Sequence, residues 1–468
     1  MAHPKEISVI GAGSARFAMD FVTDLCLTPQ LAGSEIKFFD VDQTRLKAIT
    51  KLANRYAEEL SVDLRFKSSS NLTEAVEDAD FVVNTALAGG RSAMEKERET
   101  IEKKTGIFRS IGVNTPFRQL DLIKKIAEET AKKSNNAKLI QCANPVPEGA
   151  TLANRQTGTQ VIGLCEGYVD WKKLAGLLGM DPNLARAEIV GINHDVWLTK
   201  FEFEGKDAYP LLDEWLDKVA PSFFKVFLKR ARNVDYQFVP IAVDLYRKYG
   251  LMPIGDTNRA IFPELWWYHT SAKEKAKWYG PTGGFDGNGG AGNNLAWLQS
   301  NVETVLKLSE DEKAILTAER PPVHSLWDIV PVINSIATNI SRQLQVNIQN
   351  NGAIPGLPDD FIVEGPATVD GSGAHFDKKF NIPQKVMLGA ILPRWLLAER
   401  VLAAMDTGDL GYLWQTLMSD HKIKSPKQAA KVLKIWLGQD EGMNKHYSNK
   451  PKDPYFVTDA NAYLKDRS

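Results

Sequence analysis

The stretch Ile7-Ser8-Val9-Ile10-Gly11-Ala12-Gly13-Ser14 decides the fold of this 468-residue chain. Residues 7–10 form a short apolar run that leads directly into two glycines, as a buried parallel strand does where it meets a ligand. Residues 15–28 place apolar side chains at helical intervals, and Pro29 marks the end of that helix. A strand, a tight glycine turn and a helix in this order begin a dinucleotide-binding βαβ unit.

The alternation of strands and helices continues to residue 192. The sequence predicts strands at 35–39, 79–84, 137–141, 160–164 and 188–192, with helices over 43–60 and from about residue 71. This pattern predicts an α/β fold with a doubly wound, parallel sheet of the Rossmann type in residues 1–196. Residues 197–468 contain many aromatic side chains, an extended region at 345–363, a long helix at 384–404 and a glycine-rich stretch at 283–292 that predicts a loop. We assign them to an α+β domain for substrate binding and oligomerisation.

The composition excludes several classes of function. The formal charge is −1, from 57 basic and 58 acidic residues, so no strong field favours nucleic acid or an anionic membrane as a partner. The chain has no apolar run of about 18 residues, and its first residues lack the apolar stretch of a signal peptide. Its three cysteines show no disulfide spacing, which is typical of a reducing compartment. We therefore expect a cytoplasmic protein that acts on a small molecule.

The glycine turn predicts an NAD site. Gly11 and Gly13 allow the backbone to approach a pyrophosphate, and Ser14 stands where the following helix offers its free N–H groups. Asp40, at the end of the second strand, is placed to accept hydrogen bonds from a ribose and would repel the 2′-phosphate of NADP. Asn84, at the end of the next core strand, either lines the same groove or caps the strand end.

Three polar clusters follow later strands, namely Cys142-Ala143-Asn144-Pro145, Cys165-Glu166 and Asn193-His194. Ligands of open α/β sheets bind outside the carboxyl ends of the strands, so we expect these clusters to face one crevice. A thiolate and an imidazole suit a divalent ion such as Mn, Fe, Co, Ni or Zn, and two protein ligands leave positions for substrate. The alternatives are a buried apolar cysteine at 165 and a core histidine at 194.

Two further motifs carry carboxylates. In Gly255-Asp256-Thr257-Asn258-Arg259 a carboxylate and an arginine stand three residues apart, so Asp256 is a candidate general base that Arg259 keeps ionised. The alternative for this pair is a surface ion pair. Glu148, close behind Asn144, is expected to cap the next helix rather than to take part in chemistry.

Together these residues resemble the family 4 glycoside hydrolases. The resemblance spans nearly the whole chain. The segment 207–215 and the Asp256 motif are most similar to the branch that acts on α-glucosides, α-glucuronides and α-galacturonides. The matching motifs are Gly11-Ala12-Gly13-Ser14, Ala143-Asn144-Pro145, Cys165-Glu166-Gly167, Gly191-Ile192-Asn193-His194, the Asp256 to Arg259 motif, Asn347 to Gly352 and Leu357 to Asp360.

The resemblance implies an NAD- and Mn²⁺-dependent α-glycosidase, a family known as an exception to two-carboxylate chemistry. It implies transient oxidation at sugar C3, removal of the C2 proton, elimination of the leaving group, addition of water and re-reduction. It also implies a homo-oligomer, a dimer or a tetramer. Carried over, Cys165 and His194 are the metal ligands, Asp256 is the C2 base, Glu166 is the general acid, and Asn144, Asn193 and Arg259 contact the substrate.

Some assignments stay open. Other branches of the family use a tyrosine as the base, so Tyr246 and Tyr249 remain candidates beside Asp256. Glu166 replaces the histidine or aspartate of relatives, and it either protonates the leaving oxygen or orients the metal ligands. The segment 112–115 lacks the aspartate that relatives often carry there, while Arg91, Arg109 and Arg118 either bind a carboxylate of the substrate or lie on a solvated surface.

Two other functions fit the same fold. An NAD-dependent 2-hydroxy-acid dehydrogenase of the lactate/malate type would release NADH and would need no metal-binding cysteine. A non-catalytic NAD-binding regulator would tolerate Cys165→Ser. The polar groups at three strand ends serve no obvious purpose in binding alone, which disfavours the regulator.

Overall fold

The computed structural model describes residues 2–108, 117–230, 238–259, 267–284, 287–438 and 445–446. Arg109 and the segment 112–115, which the sequence singles out, lie outside the described residues. Among the helices that are described, none is long and apolar enough to cross a lipid bilayer.

Six parallel strands form the first half of the sheet, in the order β3-β2-β1-β4-β5-β6. This is the strand order of dinucleotide-binding folds, so the predicted doubly wound, parallel sheet is confirmed over this half. The strands are β1 (Glu6–Ile10), β2 (Glu35–Phe39), β3 (Arg65–Ser68), β4 (Phe81–Asn84), β5 (Lys138–Gln141) and β6 (Val161–Gly163).

Helices connect these strands and cover both faces of the sheet. Helix α2 begins where the Asp42 side chain accepts a hydrogen bond from the Arg45 backbone N–H at 3.0 Å, which satisfies one of the free donors of its first turn. The helices of this half are α1 (Ala15–Cys26), α2 (Gln43–Glu59), α3 (Leu72–Val76), α4 (Gly90–Thr105), α5 (Phe117–Lys133), α6 (Val146–Thr157) and α7 (Asp170–Leu177).

The core has one apolar layer on each face of this sheet. Side chains alternate along a strand, so Val9 packs in one layer with α1 and α2, while Ile10 packs in the other with α5 and α6. Both side chains are at most 2% exposed. The carboxyl ends of the six strands therefore form a rigid edge for the residues that follow them.

The second half of the sheet is antiparallel. Its strands are β7 (Ala185–Ile192), β8 (Asp195–Phe203), β9 (Lys206–Asp207), β10 (Pro253–Ile254), β11 (Arg342–Gln349), β12 (Ile362–Asp370) and β13 (Gly373–His375). The order continues from β6 as β11-β12-β7-β8-β10.

Strand β7 corrects one expectation. The sequence places it in the parallel sheet, but β7 pairs antiparallel with β8 and with β12. Only Asn193 and His194 separate β7 from β8, and a connection this short joins antiparallel neighbours. The predicted domain boundary after residue 196 falls inside β8 and stays a prediction.

The two halves of the sheet meet where β11 pairs with β6, and the row of paired residues that begins there, Gly163, Asn347, Glu364 and Gly191, we call the joint. Asn347 of β11 pairs with Gly163 of β6, and Glu364 of β12 pairs with both Asn347 and Gly191 of β7. A Cβ at Gly163 would lie 2.8 Å from the Asn347 Cβ, and one at Gly191 would lie 2.1 Å from the Asp195 carbonyl oxygen. Glycine is required at both places because the neighbouring strand leaves no room for a Cβ.

The remaining helices pack on both halves of the sheet, since α12 and α13 contact α2, and α18 contacts α4. The predicted helix at 384–404 is confirmed, since α15, a π-helical turn at Met387–Ile391 and α16 run without a break to Thr407. The glycine-rich stretch is only partly a loop, because α12 begins at Asn288. These helices are α8 (Tyr209–Lys218), α9 (Ala220–Arg230), α10 (Pro240–Tyr249), α11 (Ala272–Tyr279), α12 (Asn288–Glu310), α13 (Leu316–Glu319), α14 (Ile329–Thr338), α15 (Gln384–Val386), α16 (Leu392–Thr407), α17 (Leu410–Ser419) and α18 (Pro426–Leu437).

Candidate active site

The glycine turn after β1 forms a cradle against the next two strands. Gly11 has φ +92°, and a Cβ there would lie 2.6 Å from the Ala86 Cα. The Gly13 N–H donates to Asp40 Oδ2 at 2.8 Å, and a Cβ at Gly13 would lie 2.6 Å from the Asp40 Cγ. Ser14 precedes α1 and its hydroxyl does not cap the helix. The structure thus brings together Gly11, Gly13, Ser14 and Asp40 at the amino end of a helix, an arrangement that fits a dinucleotide pyrophosphate and ribose.

Asn84 has a different role from the other predicted cofactor residues. It is fully buried, its Nδ2 donates to Gln141 Oε1 at 2.9 Å, and its Oδ1 accepts from the Ala86 N–H at 3.1 Å. Both ends of the amide are therefore bonded inside the protein. The structure favours the strand-end cap over the cofactor contact, and Asn84 supports the groove by fixing Ala86 beside Gly11.

Cys165 and His194 lie side by side. The Cys165 Sγ and the His194 Nε2 are 3.7 Å apart, although 29 residues separate them in the chain. Cys165 stands just before a single helical turn, Glu166–Val169, whose Gly167 N–H donates to its sulfur at 3.5 Å. His194 occupies the β7–β8 turn with φ +66°, and this left-handed backbone helps to reverse the chain from β7 into β8.

The chemistry of this pair fits a divalent cation. The 3.7 Å between the two ligand atoms is short enough for one cation to contact both of them. Burial, with repulsion from Glu364 and Asp256, raises the pKa of the Cys165 thiol to about 12, so a bound cation must displace its proton. Desolvation lowers the pKa of His194, which favours the neutral imidazole that metals bind. Within the described ranges, no three His, Cys, Asp or Glu side chains form a metal cluster by themselves.

Asp256 contacts the same imidazole. Its Oδ2 lies 3.4 Å from His194 Nε2, and its other carboxylate oxygen accepts a hydrogen bond from Arg259. Asp256 and Arg259 belong to the one-turn helix Gly255–Arg259, which follows β10 beside β8. The two side chains are 20% and 9% exposed, so the pair is not on the open surface. The carboxylate is within reach of a substrate that contacts Cys165 and His194.

The two tyrosines are engaged elsewhere. The Tyr246 hydroxyl donates to Asp213 at 2.8 Å, and burial together with this bond raises the pKa of Tyr246. The Tyr249 hydroxyl points to the Gly389 carbonyl at 3.4 Å, and its ring packs on Trp197. Of the three candidates for the C2 base, only Asp256 contacts His194.

The polar residues beside the metal pair differ in exposure. Asn144 is exposed and joined to Pro145 by a cis peptide bond, and Glu166 is half-buried directly after Cys165. Asn193 is only 3% exposed, and its Nδ2 donates to Glu364 Oε2 at 2.8 Å. The amide of Asn193 thus faces the protein interior, which supports a structural part for this residue beside or in place of the predicted substrate contact.

Two buried carboxylates differ from the sequence analysis. Glu148 was expected to cap α6, but from the first turn of that helix both of its oxygens instead accept hydrogen bonds from Arg394 of α16, at 2.7 and 3.0 Å. Glu364 is a lone carboxylate after the apolar run Phe361-Ile362-Val363, and it is 1% exposed at the joint. A charged residue inside an apolar strand was the signal that could have identified it.

Comparison with protein-family models gives two matches that together span most of the chain. The model of the family 4 glycosyl hydrolases matches residues 6–180, and the model of the C-terminal domain of the same family matches residues 189–423. An α-galactosidase of Rhizobium meliloti is 24% identical, with 89% of this chain and 83% of the relative covered. An α-galacturonidase of Lachnoclostridium phytofermentans is 22% identical, with 92% and 94% covered.

Solved structures share the fold. The Bacillus subtilis protein LplD, named as a glucosidase, aligns with a TM-score of 0.75 at 19% identity over 95% of this chain and 99% of its own. The 6-phospho-β-glucosidase of Thermotoga maritima, solved with manganese, NAD⁺ and glucose-6-phosphate, aligns with a TM-score of 0.71 at 17% identity over 94% and 99%. A lactate dehydrogenase from a deep-sea metagenome library reaches a TM-score of 0.50 at 14% identity over 86% and 99%. The dehydrogenase-like fold is confirmed.

Proposed function

Because the chain belongs to family 4 of the glycosyl hydrolases and is a glycosidase, we propose that it cleaves α-glycosides of a hexose or a hexuronic acid with NAD and Mn²⁺ as cofactors. The observation that carries the proposal is the 3.7 Å separation of Cys165 Sγ and His194 Nε2, with Asp256 on the same imidazole. This group adjoins the edge of the sheet where the Gly11–Gly13 turn lies. The relatives named α-galactosidase and α-galacturonidase support the α-anomer.

Each cofactor has a candidate set of residues. Gly11, Gly13, Ser14 and Asp40 would hold NAD, which supplies a hydride acceptor for sugar C3 and returns the hydride after cleavage. Cys165 and His194 would hold the divalent cation, which supplies a Lewis acid for the oxygens at C2 and C3.

The proposed chemistry of the protein side chains is proton transfer. Oxidation at C3 makes the neighbouring C2 proton acidic, and Asp256 takes that proton. Arg259 orients the Asp256 carboxylate through the hydrogen bond between them. Glu166 gives a proton to the leaving oxygen, and the exposed Asn144 binds sugar hydroxyls. A positioned acid or base of this kind contributes about 10²–10⁴-fold to the rate.

The proposal is tested with p-nitrophenyl α-glycosides, uronides included, in the presence of NAD and Mn²⁺. We expect release of p-nitrophenol without net formation of NADH, slower turnover with deuterium at C2, and loss of turnover on removal of the metal. The variant Cys165→Ser should abolish turnover, and Cys26→Ser, at a buried cysteine of α1, is the matched control. Net NADH release from a 2-hydroxy acid would instead identify the dehydrogenase, and full turnover by Cys165→Ser would refute the assignment of the metal site.

Location and assembly complete the proposal. The near-neutral charge and the three unpaired cysteines support a cytoplasmic enzyme that acts on a small sugar. We propose a homodimer or homotetramer, and light scattering coupled to size-exclusion chromatography would measure it. A monomeric mass at micromolar concentration would refute this part.

A further inference from the structure

A carboxylate without a cationic partner is buried next to the metal pair. Glu364 is 1% exposed, its Oε2 accepts from Asn193 Nδ2 at 2.8 Å, and its Oε1 accepts from Gln345 Nε2 at 3.1 Å. Both donors are neutral amides. In the part of the chain that the structure describes, no lysine or arginine pairs with Glu364.

The position of Glu364 connects it to both candidate ligands. Glu364 pairs with Gly191 of β7, and His194 follows Gly191 by three residues, in the turn after that strand. On the other side of the joint, Asn347 pairs with Gly163, two residues before Cys165. The carboxylate therefore lies between the two chain segments that carry the metal pair.

Such a group costs stability when no cation is present. A buried ion that lacks an opposite charge loses several kcal/mol of solvation, and here burial raises the pKa of the Glu364 carboxyl. Two amide oxygens in the same region, Asn193 Oδ1 and Asn347 Oδ1, are also buried without a hydrogen-bond partner among the described residues. These oxygens and the carboxylate concentrate negative potential at the joint, and a divalent cation at Cys165 and His194 would offset it.

We propose that Glu364 is a positioning residue of the metal pair, which anchors the Asn193 amide, and through it the turn that carries His194, and which adds a fixed negative charge close to the cation. Glu364 touches neither the sugar nor a candidate ligand in a described contact, so it acts through its neighbours. The inference rests on the proposed function, because it takes Cys165 and His194 as the ligands.

The test compares Mn²⁺ binding by the full chain and its variants, measured by isothermal titration calorimetry without substrate. Glu364→Gln keeps the shape of the side chain and removes its charge. It also replaces one of the two acceptor oxygens with an NH₂ group, which is a donor. We expect the Kd for Mn²⁺ to rise about 10- to 100-fold, as for other partners of metal ligands. The Kd for NAD should not change, and the Tm of the metal-free protein should change little, because the buried charge is removed while one hydrogen bond from an amide donor is lost.

Matched variants separate this role from a purely structural one. Glu188→Gln alters a carboxylate of β7 that bonds Thr199 and Lys378, and it should leave the Kd for Mn²⁺ within about twofold of the parent. Glu364→Asp keeps the charge but moves it away from Asn193, so it should also weaken Mn²⁺ binding. If Glu364→Gln does not fold, this variant alone tests whether Glu364 positions the metal pair.

Two outcomes overturn the inference. One is an unchanged Kd for Mn²⁺ in both Glu364 variants. The other is a lower Tm of the metal-free protein together with an unchanged Kd, which would make Glu364 a structural residue only. Cys165→Ser serves as the reference, because Mn²⁺ binding that survives this change refutes the proposed metal site itself, whatever Glu364 does.

Discussion

The buried ion pair between Glu148 and Arg394 makes a quantitative prediction. The two side chains are 5% and 8% exposed, and two charge-assisted hydrogen bonds of 2.7 and 3.0 Å join them. Removing one partner leaves the other as an unpaired charge in the core, so Arg394→Met and Glu148→Met should each lower the free energy of unfolding by about 3–5 kcal/mol. The double variant has no unpaired charge and should recover most of this loss.

The double-mutant cycle is measured by urea titration followed by tryptophan fluorescence. Lys103→Met is the control, because Lys103 pairs with Glu99 on an exposed face of α4 and such a pair contributes about 0–1 kcal/mol. The reasoning is refuted if each single change costs less than about 1 kcal/mol, or if the double variant is as unstable as the sum of the two single variants.

Three further predictions follow from the site and its surroundings. Gly13→Ala places a Cβ against Asp40 and breaks their 2.8 Å hydrogen bond, so calorimetry should show NAD binding weakened by at least about tenfold with Mn²⁺ binding unchanged. Asp256→Asn should lower kcat by about 10²–10⁴-fold and Tyr246→Phe by less than about twofold, and the reverse order would make the tyrosine the base. Burial raises the pKa of Asp328 above its ordinary value of 3.8, so protonation of this carboxyl stabilises the folded protein. This contribution is complete below pH 3.8 and is lost as the pH rises through the pKa of the folded state. Asp328→Asn should therefore gain stability over the parent as the pH rises above about 3.8 in thermal melts, and a constant difference over that rise would contradict this.

The parallel half of the fold could be predicted because its signals are local. Strand β2 spans residues 35–39 as expected, since its apolar run is bounded by turn residues. The direction of β7 was missed because β8, which follows it after two residues, was not predicted as a strand, and because its other neighbour, β12, comes from far along the chain. The Gln345 side chain reaches the Ile189 carbonyl across 156 residues of sequence, and nothing near Ile189 indicates that contact.

The glycine-rich stretch shows how tertiary packing overrides a local signal. Gly283 and Gly284 have the positive φ expected of a loop, but Gly289 and Gly292 belong to α12. The rest of this helix is anchored on α2, where Arg55 donates to the Leu308 carbonyl at 3.1 Å. Because the C-terminal part of α12 is anchored in this way, the helix can also include glycines that disfavour helical structure.

The sequence predicted that Cys165 and His194 lie close together because both follow strands of one parallel sheet. That reason holds only for Cys165. Cys165 follows a parallel strand, whereas His194 reaches the same place through a hairpin turn. Glu364 was missed because a carboxylate on a strand is ordinarily assigned to a solvated face, and the pairing of β12 between β11 and β7, which encloses it, involves residues far apart in the chain. Their roles in binding and catalysis stay predictions until the variants are measured.

The bond between the Gly13 N–H and Asp40 bears on how fingerprint motifs are interpreted. The folded chain needs glycine at this position on its own account, because the carboxylate of Asp40 fills the volume that a methyl group would take. Selection for folding alone would thus preserve the second glycine of the motif. A related protein that no longer binds a dinucleotide would still keep this glycine. Its presence in a related sequence therefore indicates the geometry of the turn and does not by itself indicate a ligand.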